Sequence, residues 1–499
     1  MPELSHRRRM LVLAICCMSL LLVSLDNTVL NVALPSMRSD LHASVSGMQW
    51  TIDAYTLVLA ALLMLAGSTA DRVGRKRTFQ TGLVIFTLGS ALCSLAPNLE
   101  ALVGFRMVQA IGGSMLNPVA MSIITNTFTE PRERARAIGV WGGVVGISMA
   151  AGPIVGGVLV ESVGWRSIFW INLPVGIAAL ALTARYVPES RAPRPRRADP
   201  VGQLLVIAVL GSLTYAIIEA PDRGWGSPLI AACTAVAVVA LAGLIRYERR
   251  RVEPLIDLRF FHSAPFSGAT VVAMSAFAAL GGFLFMNTLY LQDVRGLSAL
   301  HAGLWMLPMA LMCFVCAPLS GRLVGARGPR LPLLLAGVMM TASGVLFAVF
   351  DAQSTNALLL IGYVLFGIGF GLVNAPITNT AVSGMPRSQA GVASAVASTS
   401  RQVGQSLGVA VIGAVLAGGA ASAAGAGAGA AGHAASAGVA AAFIDSARPA
   451  WWIIAGCGAV ILLLGLGTTG RWAQRTTRHA AALFEEGAPS GQTSATAKA

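Results

Sequence analysis

Charge is scarce in this chain. Only 11% of its 499 residues are Asp, Glu, Lys or Arg, against about 25% in soluble domains. A soluble globular protein is thereby excluded. Lysine is nearly absent, with 33 Arg against 2 Lys, and this bias, with abundant Ala and Gly, points to a high-GC bacterial gene. A Gly-x-x-x-x-Gly-Lys phosphate loop is missing, which argues against ATP as an energy source. Alternating ten-residue segments of the kind that build membrane β-barrels are also missing. The seven cysteines all fall in apolar stretches. Cys313 and Cys316 have C-x-x-C spacing but no second pair or nearby His, so they read as small buried hydrophobes. Neither a metal site nor a cofactor is expected, and nothing points to an enzyme.

What remains is overwhelmingly apolar. Hydrophobic residues make up 55% of the chain and the mean hydropathy is +0.72. Runs of at least about 18 apolar residues read as membrane-spanning helices. Fourteen occur, near 10–33, 46–69, 78–96, 101–126, 137–160, 167–187, 201–219, 228–245, 264–290, 301–320, 331–350, 357–381, 402–420 and 449–469. The first follows Arg7, Arg8 and Arg9 as a secretion signal would, but it is too long, lacks a small-residue cleavage site and precedes thirteen more. The expected fold is an all-α membrane protein of fourteen transmembrane helices.

The formal net charge of +14 would suit nucleic-acid binding if it were clustered on one soluble face. Its distribution says otherwise. With alternate loops assigned to the cytoplasm, starting from the N-terminus, cytoplasmic segments hold 29 Lys and Arg and the opposite loops hold 5. That split is the positive-inside rule. It predicts two cytoplasmic termini in a multi-pass protein of the bacterial cytoplasmic membrane, with the lipid bilayer rather than nucleic acid as partner.

Two segments share a spacing. Gly67, Asp71 and Gly74 lie in G-S-T-A-D-R-V-G-R-K-R, and Gly321, Gly325 and Gly328 repeat their offsets 254 residues later in L-S-G-R-L-V-G-A-R-G-P-R. The same shift carries the first span onto the ninth and the fourth onto the twelfth. Two related six-helix halves are therefore expected, at 1–190 and 263–470. Between them lie linkers and two inserted helices at 191–262, and residues 471–499 form a cytoplasmic tail. The Ala/Gly stretch at 418–441 reads as a low-complexity outer loop, and His433 within it is given no role.

The halves differ chemically. Asp26 and Asp53 sit inside spans 1 and 2, and Arg106 inside span 4, whereas the residues 254 further on are all Leu. An ionisable group at membrane depth costs from about 2.5 kcal/mol upward, so it usually faces a cavity and has a function. Burial and a nearby cation pull a carboxyl in opposite directions, so an Asp beside an Arg in such a cavity is suited to exchange protons. The plainer alternative is an ion pair that only packs spans 1, 2 and 4.

The Gly67–Arg77 segment sits between two apolar runs and is expected to be a tight turn. Gly67 and Gly74 permit close approach and unusual dihedrals, Asp71 closes a helix, and Arg72, Arg75, Lys76 and Arg77 follow. The pattern resembles the loop between helices 2 and 3 of the major facilitator superfamily, with Thr69 where that pattern usually has Leu. Three further segments carry the resemblance. L-D-N-T-V-L-N-V-A-L-P at 25–35 is similar to the first-helix signature of drug:proton antiporters and contributes Asp26, Asn27, Thr28, Asn31 and Pro35. R-M-V-Q-A-I-G-G at 106–113 is similar to the fourth-helix motif, whose Arg is implicated in proton coupling, and adds Gln109, Gly112 and Gly113. G-I-S-M-A-A-G-P-I-V-G-G at 146–157 is similar to the fifth-helix motif of antiporters, with Gly146, Gly152, Pro153, Gly156 and Gly157.

The resemblance spans roughly residues 10–470. With the Q-W-T-I-D-A-Y-T-L run at 49–57 and the fourteen spans, it implies the multidrug branch with two extra central helices. Two six-helix halves related by an axis along the membrane normal are the arrangement of that superfamily. It further implies a monomer that exports small amphiphilic drugs or antibiotics by alternating access, driven by protons. Asp26 and Arg106, then Asp53, would carry the coupling. Gly67, Asp71, Arg72, Gly74, Arg75 and Lys76 would form a conformational gate loop. A proton-coupled metabolite importer of the same fold, expected to lack the Gly152–Pro153 motif, and a non-transporting receptor are the alternatives.

Overall fold

A computed structural model of the protein describes residues 5–192, 199–251, 254–349, 355–383, 390–426 and 434–470, with a few more up to 480. Most of the Pro-rich linker at 191–200, the centre of the Ala/Gly segment with His433, and nearly all of the 471–499 tail lie outside the described residues. Every long element is helical, as membrane depth requires, because a helix satisfies its own backbone hydrogen bonds.

The first unit comprises α1 (His6–Leu41), α2 (Val45–Val73), α3 (Arg75–Ser94), α4 (Leu99–Thr127), α5 (Pro131–Ser162), α6 (Ser167–Trp170) and α7 (Asn172–Tyr186). A pair follows, α8 (Pro200–Arg223) and α9 (Pro228–Glu248). The chain continues through α10 (Ala264–Leu289), α11 (Ala299–Trp305), α12 (Leu307–Arg327), α13 (Arg330–Ala348), α14 (Asn356–Val382), α15 (Ala390–Ala426) and α16 (Ala434–Gly467). Local chemistry sets several boundaries. Ser44 and Asn98 accept hydrogen bonds from Gly47 N and Ala101 N at the starts of α2 and α4. Pro200 and Pro228 open α8 and α9, where a missing N–H costs nothing.

Twelve helical segments among the described residues are long and apolar enough to cross a membrane. α3 and α15 are not among the twelve, yet α3 packs against α4 and α7, and α15 against α10, α2 and α16. The α8–α9 pair is peripheral: α8 leans on α2 and α15, while α9 packs on α8 and exposes Val236, Val238, Val239 and Leu241.

Three expectations need correction. The turn expected over residues 67–77 shrinks to one residue, because α2 runs to Val73 and α3 begins at Arg75. Gly74 alone carries the break, with φ +126°, and Gly328 repeats it with φ +78°. Gly67, expected at a close approach, lies inside α2 with open space where a side chain would go. The span expected at 402–420 runs from Ala390 to Ala426, and α16 already begins at Ala434. Alanine is the best helix former, so the ends of the Ala/Gly segment extend helices. Arg401, just before the expected span, therefore lies within α15.

Apolar packing is unevenly shared between the units. One buried cluster, from Val12 to Val187, lies wholly within α1–α7 and its flanking residues. The larger one joins α10–α16 to the Leu41–Val45 end of the first unit through Val29, Leu34, Met37, Met48 and Ile52. Polar ties sit at that end too. The chain widens into a π turn over Tyr290–Val294, where Gln292 Nε2 donates to Val32 O at 2.9 Å and Asp293 meets Arg38 at 3.1 Å. The two units therefore meet at the Leu41–Val45 end.

Candidate functional site

α1 and α4 lie side by side and bring Asp26 and Arg106 into contact, Nη1 to Oδ2 at 2.5 Å. Both are buried, Arg106 completely and Asp26 at 5% exposure. Gln109, one turn along α4, donates through Nε2 to Asp26 Oδ1 at 2.9 Å and accepts from Arg106 Nη1 at 2.7 Å. Arg106 Nε points to Thr51 O at 3.4 Å. Its Nη2 finds no hydrogen-bond acceptor; the guanidinium carbon lies 4.2 Å from the centroid of the Tyr55 ring. A cation over an aromatic face is attracted by the ring quadrupole.

Asn172 completes this network, and the motifs gave no sign of it. The sixth expected span is broken at Ile171 into α6 and α7, and the break turns Asn172 Nδ2 onto Asp26 Oδ1 at 2.9 Å and Ser90 Oγ at 3.0 Å. Ser90 in turn donates to Phe169 O at 2.9 Å. The carboxylate thus accepts from three side chains. Two donors, Arg106 and Gln109, come from α4 and the third, Asn172, from α7, so the carboxylate of α1 joins three helices.

Asp53, grouped with this pair on sequence grounds, is elsewhere. It is fully buried, faces Ser406 of α15, and neither of its oxygens makes a hydrogen bond of normal geometry. One turn away Gln49 Nε2 donates to Val409 O at 3.1 Å and Ala410 O at 2.9 Å, fastening α2 to α15. An ionised carboxylate without a partner at such depth is far more costly than its protonated form.

The antiporter-type motif of α5 is a packing device between the two units. Gly152 and Gly156 lie against Thr28 and Val29 of α1, and Gly157 lies against the Leu300 backbone of α11. Gly303 of α11 in turn meets Pro153 O, and Gly146 faces Phe314 of α12. A side chain at Gly157 would strike the Leu300 backbone, so the approach depends on glycine there. Thr28 Oγ1 also donates to Ser148 O at 3.2 Å, tying α1 to α5. A cavity between the units is walled by Thr28, Asn31, Met149, Pro153, Met306 and Met309, with Val32 and Leu284. Three methionines, Met149, Met306 and Met309, thus border the cavity. Asn31 is held by Asn27 O at 2.8 Å, and Pro35 lies within α1. Gly112 and Gly113 pack under the Phe86 backbone and the Tyr55 hydroxyl.

The basic loop is anchored by a residue that its own sequence does not contain. Asp71 Oδ1 pairs with Arg75 at 2.9 Å within the loop. Glu189, beyond α7, accepts from Lys76 N at 3.0 Å and Arg77 N at 3.3 Å, so it caps the start of α3. Lys76 Nζ reaches Ala184 O at 2.7 Å. Backbone bonds Arg75 N to Ser190 O and Ala192 N to Asp71 O knit the two strands of chain together. Any side chain at Gly74 would strike the Glu189 carboxylate. Arg72 turns back onto Ser68 O at 3.3 Å. Among the described residues no hydrogen bond or ion pair joins this loop to α10–α16.

Comparison with known proteins agrees with this architecture. The Major Facilitator Superfamily profile matches residues 16–409. The chain is 38% identical over 412 residues to the multidrug resistance protein Stp of Mycobacterium tuberculosis, covering 83% of this chain and 76% of that protein. It is 39% identical over 400 residues to the tetracenomycin C resistance and export protein of Streptomyces glaucescens, covering 80% and 74%. Among solved structures, a bacterial homologue of the lysosomal transporter Spinster in an inward-facing conformation superposes with a TM-score of 0.64 at 19% identity, covering 98% of this chain and all of that one. A D-xylose–proton symporter gives 0.63 at 14% identity, covering 91% and 97%. At such identities the structural likeness speaks to fold alone.

Proposed function

The chain belongs to the major facilitator superfamily, a family of transporters and not of enzymes, and we propose that it is a proton-coupled antiporter exporting amphiphilic organic compounds. The observation that carries this reading is the buried Asp26–Arg106 pair with Gln109 and Asn172 around it. Buried ion pairs are weak sources of stability, and ionisable groups at membrane depth usually have a function. Asp26 alternates between this ion pair and a protonated form in which Arg106 is released, and Asp53 takes part as a second carboxyl in the α2–α15 seam. The proton gradient supplies the energy and no cofactor is required.

Relatives named for multidrug resistance and for tetracenomycin C export support drugs or antibiotics as the cargo. Packing of the two units at their Leu41–Val45 end supports a state open at the Gly74 end, one of the two states of alternating access. The 29-to-5 charge split supports the Gly74 end, and both termini, as cytoplasmic in a bacterial inner membrane. Peripheral α8–α9 supports the fourteen-span reading, with that pair inserted between halves 1–190 and 263–470. The protein works as a monomer.

Cells overproducing the chain should accumulate less ethidium than vector controls, and a protonophore should erase the difference. Proton-driven uptake of the probe would instead establish the importer reading.

The loop at Gly74 is the gate on the cytoplasmic side. Among the described residues the Asp71–Arg75 pair makes no bond to α10–α16 in this state and is placed to meet them when the Gly74 ends close, so Asp71→Asn shifts the balance between states by the difference in contact energy, about 1–3 kcal/mol. Initial efflux should fall by about fivefold to 150-fold, while equilibrium binding of a fluorescent substrate changes by less than about twofold. Lost binding with an unchanged rate for bound substrate would place Asp71 in the substrate site instead.

A further inference from the structure

Among the described residues, one guanidinium inside the bundle has no carboxylate. Arg401 lies within α15 (Ala390–Ala426), and none of the ion pairs among the described residues includes it. Its Nη2 donates to Thr378 Oγ1 of α14 at 2.6 Å, and its Nε has no partner. The guanidinium carbon is 6.0 Å from the centroid of Phe277 on α10, whose ring meets Phe370 of α14 edge-on at 5.2 Å. The contrast with Arg106 is sharp, since that cation is fully buried and neutralised by Asp26.

Its surroundings are partly wet. Arg401 is part-exposed, Asn374 is half-buried and Thr378, one turn further along α14, is exposed. A cation turned to hydrocarbon is strongly penalised, so intramembrane arginines face a bundle interior or a water-filled cavity. Asp53 is no counter-ion here. It faces Ser406, five residues along α15 and so about 140° around the helix from Arg401. Among the described residues the place therefore holds a positive charge without a carboxylate, its Nε–H free, beside an aromatic ring. Those are the elements that bind an anionic aromatic: a guanidinium pairs with a carboxylate, sulfonate or phenolate, and ring faces take the apolar body.

We propose that Arg401 is the anion-binding element of the substrate path, and that the exported class includes acidic aromatic amphiphiles, their rings lying against Phe277, which the buried Phe370 backs. This rests on the exporter reading and narrows it to a charge type.

A pair of xanthene dyes separates charge from shape: fluorescein is anionic and rhodamine 6G is cationic on the same ring skeleton. Binding of each to the purified full-length protein in lipid nanodiscs is read by anisotropy. Arg401→Gln should weaken fluorescein tenfold to 100-fold and leave rhodamine 6G within twofold, which also shows that the variant is folded. Arg401→Lys should retain fluorescein within about fivefold. Equal loss of both dyes, or fluorescein binding unchanged in Arg401→Gln, overturns the anion site. A wild-type protein that binds rhodamine 6G but not fluorescein overturns it too and leaves export standing. Binding of neither dye by the wild type defeats the anion site and the exporter reading together.

Discussion

Asp26→Asn should reduce proton-driven export by at least about 100-fold, a barrier change of roughly 2.7 kcal/mol or more, because the amide keeps the shape of the carboxyl but carries no exchangeable charge. Gln109 and Asn172 still find an oxygen to donate to, while the amide nitrogen replaces the oxygen that Arg106 met. Arg106 loses its only ionic partner in a fully buried position. Breaking a buried pair from one side costs about 3–5 kcal/mol, so the single variant should also melt earlier. The double variant Asp26→Asn with Arg106→Gln removes both charges and should recover melting temperature and abundance without recovering transport. That pattern separates coupling from stability: a pair that only packed helices would regain export once stability returned. If Asp26→Asn still expels substrate against a gradient, coupling passes to Asp53, whose unpartnered carboxyl is the next candidate.

The second large effect is steric. Gly157→Val places two methyl groups where the Leu300 backbone lies against α5, and helices so closely packed cannot yield without separating. Overpacking of this kind costs about 1–3 kcal/mol, and that cost falls only on the state in which α5 and α11 touch. The state open at the Leu41–Val45 end should gain by the same amount, a shift of about fivefold to 150-fold in population. Spin labels at Ser39 and Ser298 on a cysteine-free background should report a longer distance in the variant, with export lowered by at least about fivefold. An unchanged distance distribution would mean that the α5–α11 contact persists in both states. Gly67→Ala is the matched control, since that position has open space around it and lies within α2.

Much of this site was legible because its chemistry is local in sequence. Asp26 and Arg106 stood out as charged residues in apolar runs, and Gln109 and the glycines of α5 as parts of motifs. Gly74 and Gly328 announced themselves through a shared spacing, and both hold positive φ. The partners that act across long separations left no such trace. Asn172 meets Asp26 only because α6 and α7 are broken at Ile171, and Glu189 caps α3 from a segment more than 110 residues away. Asp53 seemed to belong with Asp26, since both lie in early spans, but the α2–α15 contact turns it to the other unit. Low complexity also misled: the Ala/Gly stretch reads as a loop, while its alanine-rich ends prolong α15 and α16.

Proton movement coupled to substrate is the central claim, and proteoliposomes test it directly. Vesicles loaded with substrate and a pH-sensitive dye are diluted into substrate-free buffer of equal pH, with valinomycin and potassium to clamp the voltage. Whichever way the protein is inserted, substrate leaving should draw protons inward and acidify the lumen in the wild type, with no change in Asp26→Asn. A lumen that turns alkaline as substrate leaves, or that holds its pH while substrate leaves at the wild-type rate, would contradict antiport.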